Sequence, residues 1–134
     1  MRMISYLDSI GELDNTIIVY TSDNGMLFPR AKASLYKYGT HMPLVIRWGN
    51  KKPRIISDFI SYADFAPTFL EVAEVPIPGT MSGKSFYELL KSKKSGQIDP
   101  YMNNTLLFLE RHAWTHPGRC APVRGYRKGN WLVI

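Results

Sequence analysis

The segment that most constrains the fold of this chain is Thr16–Gly25, with the sequence TIIVYTSDNG. Its first five residues are β-branched or aromatic with almost no polar alternation, which predicts a strand covered on both faces, as in a parallel sheet flanked by helices. Asp23 and Asn24 follow the strand, where ligands bind in open α/β sheets. Their carboxylate and amide oxygens are donors that a hard divalent cation takes. A turn is the alternative interpretation, because Asp, Asn and Gly are the commonest turn residues.

The size and composition of the chain fit one ordinary globular domain, with 134 residues of which 45% are hydrophobic. No apolar run approaches the roughly 18 residues of a membrane span, and acidic residues in the N-terminal segment argue against a secretion signal. Cys120 is the only cysteine, so an internal disulfide is excluded. The formal charge of +6 favours anionic partners. The chain has no long basic run of the kind that would indicate nucleic-acid binding. The oligomeric state stays open.

Hydrophobic periodicity along the chain predicts a mixture of helices and strands. Apolar residues at three- and four-residue spacing predict an amphipathic helix over residues 2–13, directly before the first strand. The remaining predicted elements are strands over 43–48, 54–60 and 104–109, helices over 65–72 and 85–90, and a hairpin of 123–126 with 131–134. The first helix has no preceding strand from which to cross over, so we expect a truncated piece of an α/β domain.

A long irregular segment separates Gly25 from the strand that begins at Pro43. Its basic side chains are Arg30, Lys32, Lys37 and His41, and its aromatic side chains are Phe28, Tyr36 and Tyr38. Loops of this length inside a compact domain are usually functional or disordered. The aromatic residues give this one something to pack with, which argues against disorder.

Three segments of the chain together resemble the sulfatases of the alkaline-phosphatase-like superfamily. They are LDNTIIVYTSDNG (Leu13–Gly25), FPRAKASLYKYGTHMPLVIRW (Phe28–Trp48) and SYADFAPTFLEVAEVPIPGTMSGKSF (Ser61–Phe86). Sulfatases show a strand ending in a T-S-D-N-G type motif, a G-K-x-x-x-Y-x-x-G-x-x-x-P-L segment, a D-x-x-P-T helix and a G-x-S loop, in this order. The tail, LERHAWTHPGRCAPVRGYRKGNWLVI, further resembles bacterial relatives of the heparan N-sulfatases.

The resemblance implies both a fold and a chemistry. The fold class is α/β, an alkaline-phosphatase-like doubly wound sheet of which this chain forms only the C-terminal part, leading into a small antiparallel α+β C-terminal region. Residues 1–92 would belong to the catalytic domain, and residues 93–134 would begin the smaller region. The implied reaction is hydrolysis of sulfate esters or sulfamates by a formylglycine nucleophile, made from Cys or Ser in a C/S-x-P-S-R motif close to a Ca²⁺ ion.

Three residues match functional positions of the family. Asp23 and Asn24 match two of the Ca²⁺ ligands, and the resemblance implies that ligands upstream of this chain complete the site. Lys32 matches the lysine that contacts the sulfate and the oxygen of the nucleophile, and it is the catalytic residue predicted here. The chemistry is consistent, because a hard cation and an ammonium together offset charge developing on a sulfuryl group.

The sequence also departs from the family pattern. No C/S-x-P-S-R motif occurs: Cys120–Arg124 has Pro and Arg at the required offsets, but Val123 replaces Ser and the segment lies at the wrong end of the chain. The paired aspartates that precede the nucleophile in the family are also missing. Lys32 is flanked by alanines where the family usually has glycines. We therefore expect half of an active site, inactive by itself.

The remaining candidate substrate-binding residues are His41, Glu110, Arg111 and His112. For His41, substrate contact and structural packing both remain open. Glu110–His112 closes the strand over 104–109, where Arg and His could bind the anionic oxygens of a sulfated sugar, although an ion pair at a strand end explains the cluster equally well. Asp64, at the start of a predicted helix, is most simply its N-cap.

The combined prediction is a fragment of a sulfatase that acts on a sulfated glycan such as a heparan-type glycosaminoglycan. Its cofactor would be Ca²⁺ and its partner a sulfated saccharide or another sulfate ester. Because family members are commonly exported, the resemblance suggests a periplasmic, secreted or lysosomal location. Two other hypotheses remain: a phosphodiesterase or phosphotransferase of the same superfamily, and a non-catalytic basic module that binds an anionic polymer.

Overall fold

The computed structural model describes residues 2–29, 31–109 and 122–134 of a mixed α/β chain. The helices are α1 (Arg2–Ser9), α2 (Lys37–Thr40), α3 (Phe65–Val72) and α4 (Tyr87–Lys91), and the strands are β1 (Ile17–Thr21), β2 (Leu44–Trp48), β3 (Asn104–Leu109), β4 (Val123–Lys128) and β5 (Trp131–Val133). Two compact units are present. The first is built on the residues before Arg54, and the second on Arg54–Leu106 with Gly125–Val133.

The first unit is organised around the antiparallel pair of β1 and β2. The two strands pair along their full length, beginning with Ile17 opposite Trp48. The side chain of Arg47 in β2 ties this pair to the segment before β1, since its guanidinium donates to the carbonyl oxygen of Leu13 (2.9 Å). The pairing fixes the end of β1, and with it the position of the polar residues that follow.

β1 is a strand, as predicted, but its surroundings differ from the expectation. It pairs antiparallel with β2 rather than lying in a parallel sheet, and its residues are half-buried or exposed rather than covered on both faces. A continuous apolar run specifies extended backbone, whereas strand direction depends on the connection. Among the described residues of this connection, the only helix is the one-turn helix α2, which is too short to cross over the sheet.

The helix predicted over residues 2–13 is also shorter than expected. α1 ends at Ser9, and Gly11 has a φ of 75°, the left-handed conformation that glycine adopts without a steric penalty. The amide of Glu12 then donates to the carbonyl oxygen of Leu7 (2.9 Å), a typical helix C-cap. In the described part of the chain, every helix is too short or too polar to cross a membrane.

The second unit has its buried centre where α3 meets α4. Its buried apolar side chains include Pro67, Phe86, Leu89 and Leu90. The ring of Phe65 packs edge-on against that of Phe86, with centroids 5.6 Å apart. The fully buried hydroxyl of Thr68 joins the two segments, because it donates to the carbonyl oxygen of Asp64 (2.6 Å) and accepts from the amide of Phe86 (3.0 Å).

The side chain of Asp64 does not cap α3, which corrects the N-cap prediction. Its backbone is already helical, and one carboxylate oxygen accepts from the amide of Ser61 (2.7 Å) while the other accepts from the amide of Lys84 (2.8 Å). The helical path begins earlier than the pattern indicated, at the 3-10 helix Tyr62–Asp64, and Ser61 and Asp64 form its capping box.

The prediction of a strand over residues 54–60 is wrong. Within residues 2–29, 31–109 and 122–134, this segment forms a single parallel bridge, between Ile56 and Gly96. The buried carboxylate of Asp58 accepts from the amides of Ile98 (2.8 Å) and Asp99 (2.7 Å). Because a side chain satisfies these amides, the backbone does not continue as a strand ladder.

The predicted hairpin near the end of the chain is confirmed. β4 and β5 are antiparallel, with Lys128 opposite Trp131, and they belong to a sheet with the order β3–β4–β5. Gly129 lies in the turn with a φ of 53°, as tight hairpin turns require. The domain boundary between residues 92 and 93 stays a prediction.

Candidate active site

Asp23 and Asn24 lie in the turn that follows β1. The hydroxyl of Ser22 donates to the carbonyl oxygen of Asn24 (2.9 Å). Within the described residues, neither the carboxylate of Asp23 nor the side-chain amide of Asn24 makes a hydrogen bond, and Asp23 is exposed while Asn24 is half-buried. A turn is therefore present, and its side-chain oxygens are still available to a ligand.

Two glycines bring the loop between β1 and β2 against this turn. A Cβ at Gly25 would overlap the carbonyl oxygen of Tyr38 and lie 3.0 Å from the Cα of Gly39. A Cβ at Gly39 would overlap the carbonyl oxygens of Ala31 and Ser34. Such close approach of backbone to backbone is possible only at glycine. The turn and both halves of the loop are therefore in direct backbone contact.

Lys32 is held on this loop by its backbone. Its amide donates to the carbonyl oxygen of Met26 (2.9 Å), two residues after Asn24. The neighbouring Ala31 is 2% exposed and anchors the loop, whereas the side chain of Lys32 is exposed. The ammonium group is thus carried at the surface by a backbone that is fixed beside the metal-ligand candidates.

Ala33, which follows Lys32, has a φ of 60°. This left-handed conformation costs a residue with a Cβ about 1–2 kcal/mol. A backbone in this conformation favours glycine, so alanine at this position is strained. Backbone strain of this kind clusters at ligand-binding segments, and here it lies beside the predicted catalytic lysine.

His41 follows α2, and its amide donates to the carbonyl oxygen of Lys37 (2.8 Å). The imidazole is exposed, so it is not packed in the interior of the described part of the chain. His41 is two residues from Gly39, which contacts Gly25, so its backbone is close to the turn after β1. The other substrate-binding candidates, Glu110–His112, lie outside the described residues.

The donor chemistry of Asp23 and Asn24 fits Ca²⁺, but two ligands do not complete a site. Ca²⁺ takes about six to eight oxygen ligands. Among the described residues, no group of three or more His, Cys, Asp or Glu side chains is arranged to hold a metal ion. The pair could therefore hold a cation only as part of a larger set of ligands.

Comparison with known proteins places this geometry in a family. The family model described as Sulfatase matches residues 1–75. The chain is 43% identical over 104 residues to an N-acetylglucosamine-6-O-sulfatase of Bacteroides thetaiotaomicron, an alignment that covers 73% of this chain and 19% of the relative. It is 33% identical over 112 residues to the Extracellular sulfatase SULF-1 homolog of Drosophila melanogaster, covering 79% of this chain and 10% of that protein.

A solved structure supports the same assignment. It shows a protein in complex with its substrate D-glucosamine-2-N,6-O-disulfate, and it matches this chain with a TM-score of 0.70 at 32% identity. The match covers 95% of this chain and 26% of the solved one. The fold is therefore the alkaline-phosphatase-like α/β fold of the sulfatases, as the resemblance implied.

The chain belongs to the sulfatase family. It spans 19% and 10% of the length of the two curated relatives described above. The sequence identified this family correctly from its motifs. It did not identify the glycine contacts that assemble the site, because they join residues that are distant in the sequence. A glycine on each side of a loop rich in aromatic residues is the signal that could have revealed them.

Proposed function

We propose that this chain contributes to a sulfatase active site that hydrolyses sulfate esters or sulfamates of a sulfated glycan. The observation that carries the proposal is the backbone contact between the Asp23–Asn24 turn and the loop that bears Lys32, in a chain of the sulfatase family. It places a carboxylate, an amide oxygen and an ammonium group on adjacent segments. This combination suits a hard cation together with an anionic substrate.

In this proposal Asp23 and Asn24 provide two of the oxygen ligands of a Ca²⁺ site. Sulfatases are generally Ca²⁺-dependent, and the remaining ligands would come from outside the described residues. When bound, the ion would supply positive charge that offsets the charge developing on the sulfuryl oxygens. Asn24 is half-buried, so its amide would be oriented by the turn, whereas the exposed Asp23 would supply the negative charge.

Lys32 would bind a sulfate oxygen through its ammonium group. A lysine presents a compact charge with three donors, and its fixed backbone reduces the reorganisation needed as charge develops. These 134 residues contain no C/S-x-P-S-R motif, so the nucleophile would come from residues outside them. The role of this chain is then substrate binding and charge stabilisation.

A sulfated glucosamine-type sugar is the substrate class that we propose. The Bacteroides relative is named for N-acetylglucosamine 6-O-sulfate, and the solved relative was bound to a disulfated glucosamine. We also propose His41 and Glu110–His112 as contacts to the sugar. The Drosophila relative is named as extracellular, which supports an exported location.

The proposal is tested by measuring, with ligand-observed NMR, how tightly the 134-residue chain binds D-glucosamine-6-sulfate. We expect Lys32→Ala to weaken binding by at least about tenfold, the loss that follows from removing a charged hydrogen bond. Lys93→Ala removes an exposed lysine in the second unit and serves as the matched control. Equal affinities of the two variants would contradict the proposed role of Lys32.

A further inference from the structure

The loop that carries Lys32 also exposes three aromatic rings, of which Phe28 and Tyr38 are more exposed than Tyr36 (55%). Phe28 and Tyr38 are each 67% exposed. Single exposed apolar side chains are normal on protein surfaces. Phe28 and Tyr38 belong to a loop that is buried at other positions, since Ala31 and Leu35 are 2% and 3% exposed. The loop is therefore anchored to its unit while it presents aromatic surface to solvent.

The backbone beneath both rings is fixed by direct contacts. The amide of Phe28 donates to the carbonyl oxygen of Met26 (2.8 Å), and the carbonyl oxygen of Phe28 accepts from the amide of Ala31 (3.1 Å). The carbonyl oxygen of Tyr38 packs against Gly25. Rings on an ordered backbone lose little conformational entropy when a ligand binds, which suits them to recognition.

The position of the rings relates them to the proposed site. Phe28 lies within the turn that the bond from Lys32 to Met26 closes, next to the proposed sulfate contact. The backbone carbonyl of Tyr38 contacts Gly25, the residue after Asn24, so the ring of Tyr38 is attached to backbone next to the proposed metal ligands. Both rings are therefore attached to backbone that adjoins the segments bearing the groups that would bind the charged part of the substrate.

We propose that Phe28 and Tyr38 are specificity-determining residues that contact the pyranose ring of the sulfated sugar. This inference rests on the proposed function. A pyranose ring presents C–H groups on its face, and the electron-rich face of an aromatic ring attracts such positively polarised hydrogens. Lys32 would bind the sulfate group while the two rings select a substrate that carries a sugar. Inorganic sulfate has no such ring, so it would not benefit from them.

The test compares D-glucosamine-6-sulfate with inorganic sulfate as probes of the 134-residue chain. We expect Phe28→Ala and Tyr38→Ala each to weaken binding of the sugar about five- to tenfold, while affinity for inorganic sulfate changes less than about twofold. Saturation-transfer signals should be strongest on the C–H protons of the pyranose and should fall in both variants. Tyr38→Phe should retain wild-type affinity, because it keeps the aromatic face. Tyr101→Ala is the matched control, a tyrosine 82% exposed in the second unit.

Each other outcome has a defined meaning. If both alanine variants bind the sugar as the wild type does, the inference is overturned, whereas loss of binding in Lys32→Ala would still support the proposed function. An equal loss of affinity for the sugar and for inorganic sulfate would also overturn the inference, since the rings would then act only by positioning Lys32. An equal effect of Tyr101→Ala would refute site-specific contact. A wild-type chain that binds neither probe contradicts the proposed function, and the inference falls with it.

Discussion

Replacing Gly25 with alanine tests whether backbone contact between two segments assembles the candidate site. The added Cβ would overlap the carbonyl oxygen of Tyr38, and it would lie 3.0 Å from the Cα of Gly39 and 3.2 Å from the carbonyl carbon of Tyr38. All three neighbours are backbone atoms, so no side-chain rotation can relieve the overlap. The loop must move away from the turn that holds Asp23 and Asn24.

The net destabilisation by Gly25→Ala depends on two effects, crowding in the folded chain and restriction of the unfolded chain. Overpacking of a filled site costs about 1–3 kcal/mol, and a contact with fixed backbone belongs at the upper end of that range. The Gly25→Ala change also restricts the unfolded chain, which returns about 0.4–1 kcal/mol. A net destabilisation of about 2 kcal/mol lowers the melting temperature of a 134-residue chain by about 7 °C.

Thermal unfolding followed by circular dichroism measures this difference. Gly79→Ala is the matched control, because a Cβ at Gly79 meets nothing within 4 Å. We expect the control to melt at the wild-type temperature or slightly above it, and we expect Gly25→Ala alone to lose affinity for D-glucosamine-6-sulfate. If the two variants melt within about 1 °C of each other, the close contact does not exist in solution and the reasoning is refuted.

Two further pairs of substitutions test the local structure of each unit. Ala33→Gly should stabilise the chain by up to about 1 kcal/mol, because glycine relieves the left-handed φ of 60°. The control, Ala66→Gly within α3, should destabilise it by about 0.5–1 kcal/mol. Urea unfolding measures both changes, and destabilisation by Ala33→Gly would contradict the proposed strain at Ala33. Thr68→Val should lower the free energy of unfolding by about 1–3 kcal/mol, because it leaves the buried amide of Phe86 without its acceptor. Thr68→Ser keeps the hydroxyl and is the control. Equal urea midpoints for these two variants would show that the hydroxyl does not link α3 to the following segment.

The elements that local sequence determines could be predicted, and those that depend on distant contacts could not. β1, β2 and the final hairpin follow from apolar runs and turn residues, and the structure confirms them. The antiparallel direction of β1 depends on the connection to β2, which periodicity does not encode. The segment over 54–60 contains strand-forming residues, but the carboxylate of Asp58 binds amides 40 and 41 residues further along the chain. No local pattern reveals that contact.

The candidate site also combines features that local sequence reveals with features that depend on distant contacts. Asp23, Asn24 and Lys32 were predicted from the family motifs, because the chemistry of a residue is visible in the sequence, and their roles stay predictions. The contact of Gly25 with Tyr38 is not visible, because it joins residues on either side of an irregular loop. The strain at Ala33 could not be predicted either, since alanine normally avoids a positive φ.

The measurement that tests the central claim most directly is sulfate release by a chimera. In it, this chain replaces the corresponding segment of the Bacteroides N-acetylglucosamine-6-O-sulfatase, to which it is 43% identical. We predict that the folded chimera releases sulfate from N-acetylglucosamine-6-sulfate. Asp23→Ala and Lys32→Ala should each lower kcat/KM by at least about a hundredfold, on the scale of losing one charge-stabilising group, while Lys93→Ala leaves it unchanged. A folded chimera that is inactive, or one that keeps its activity in both variants, would contradict the account.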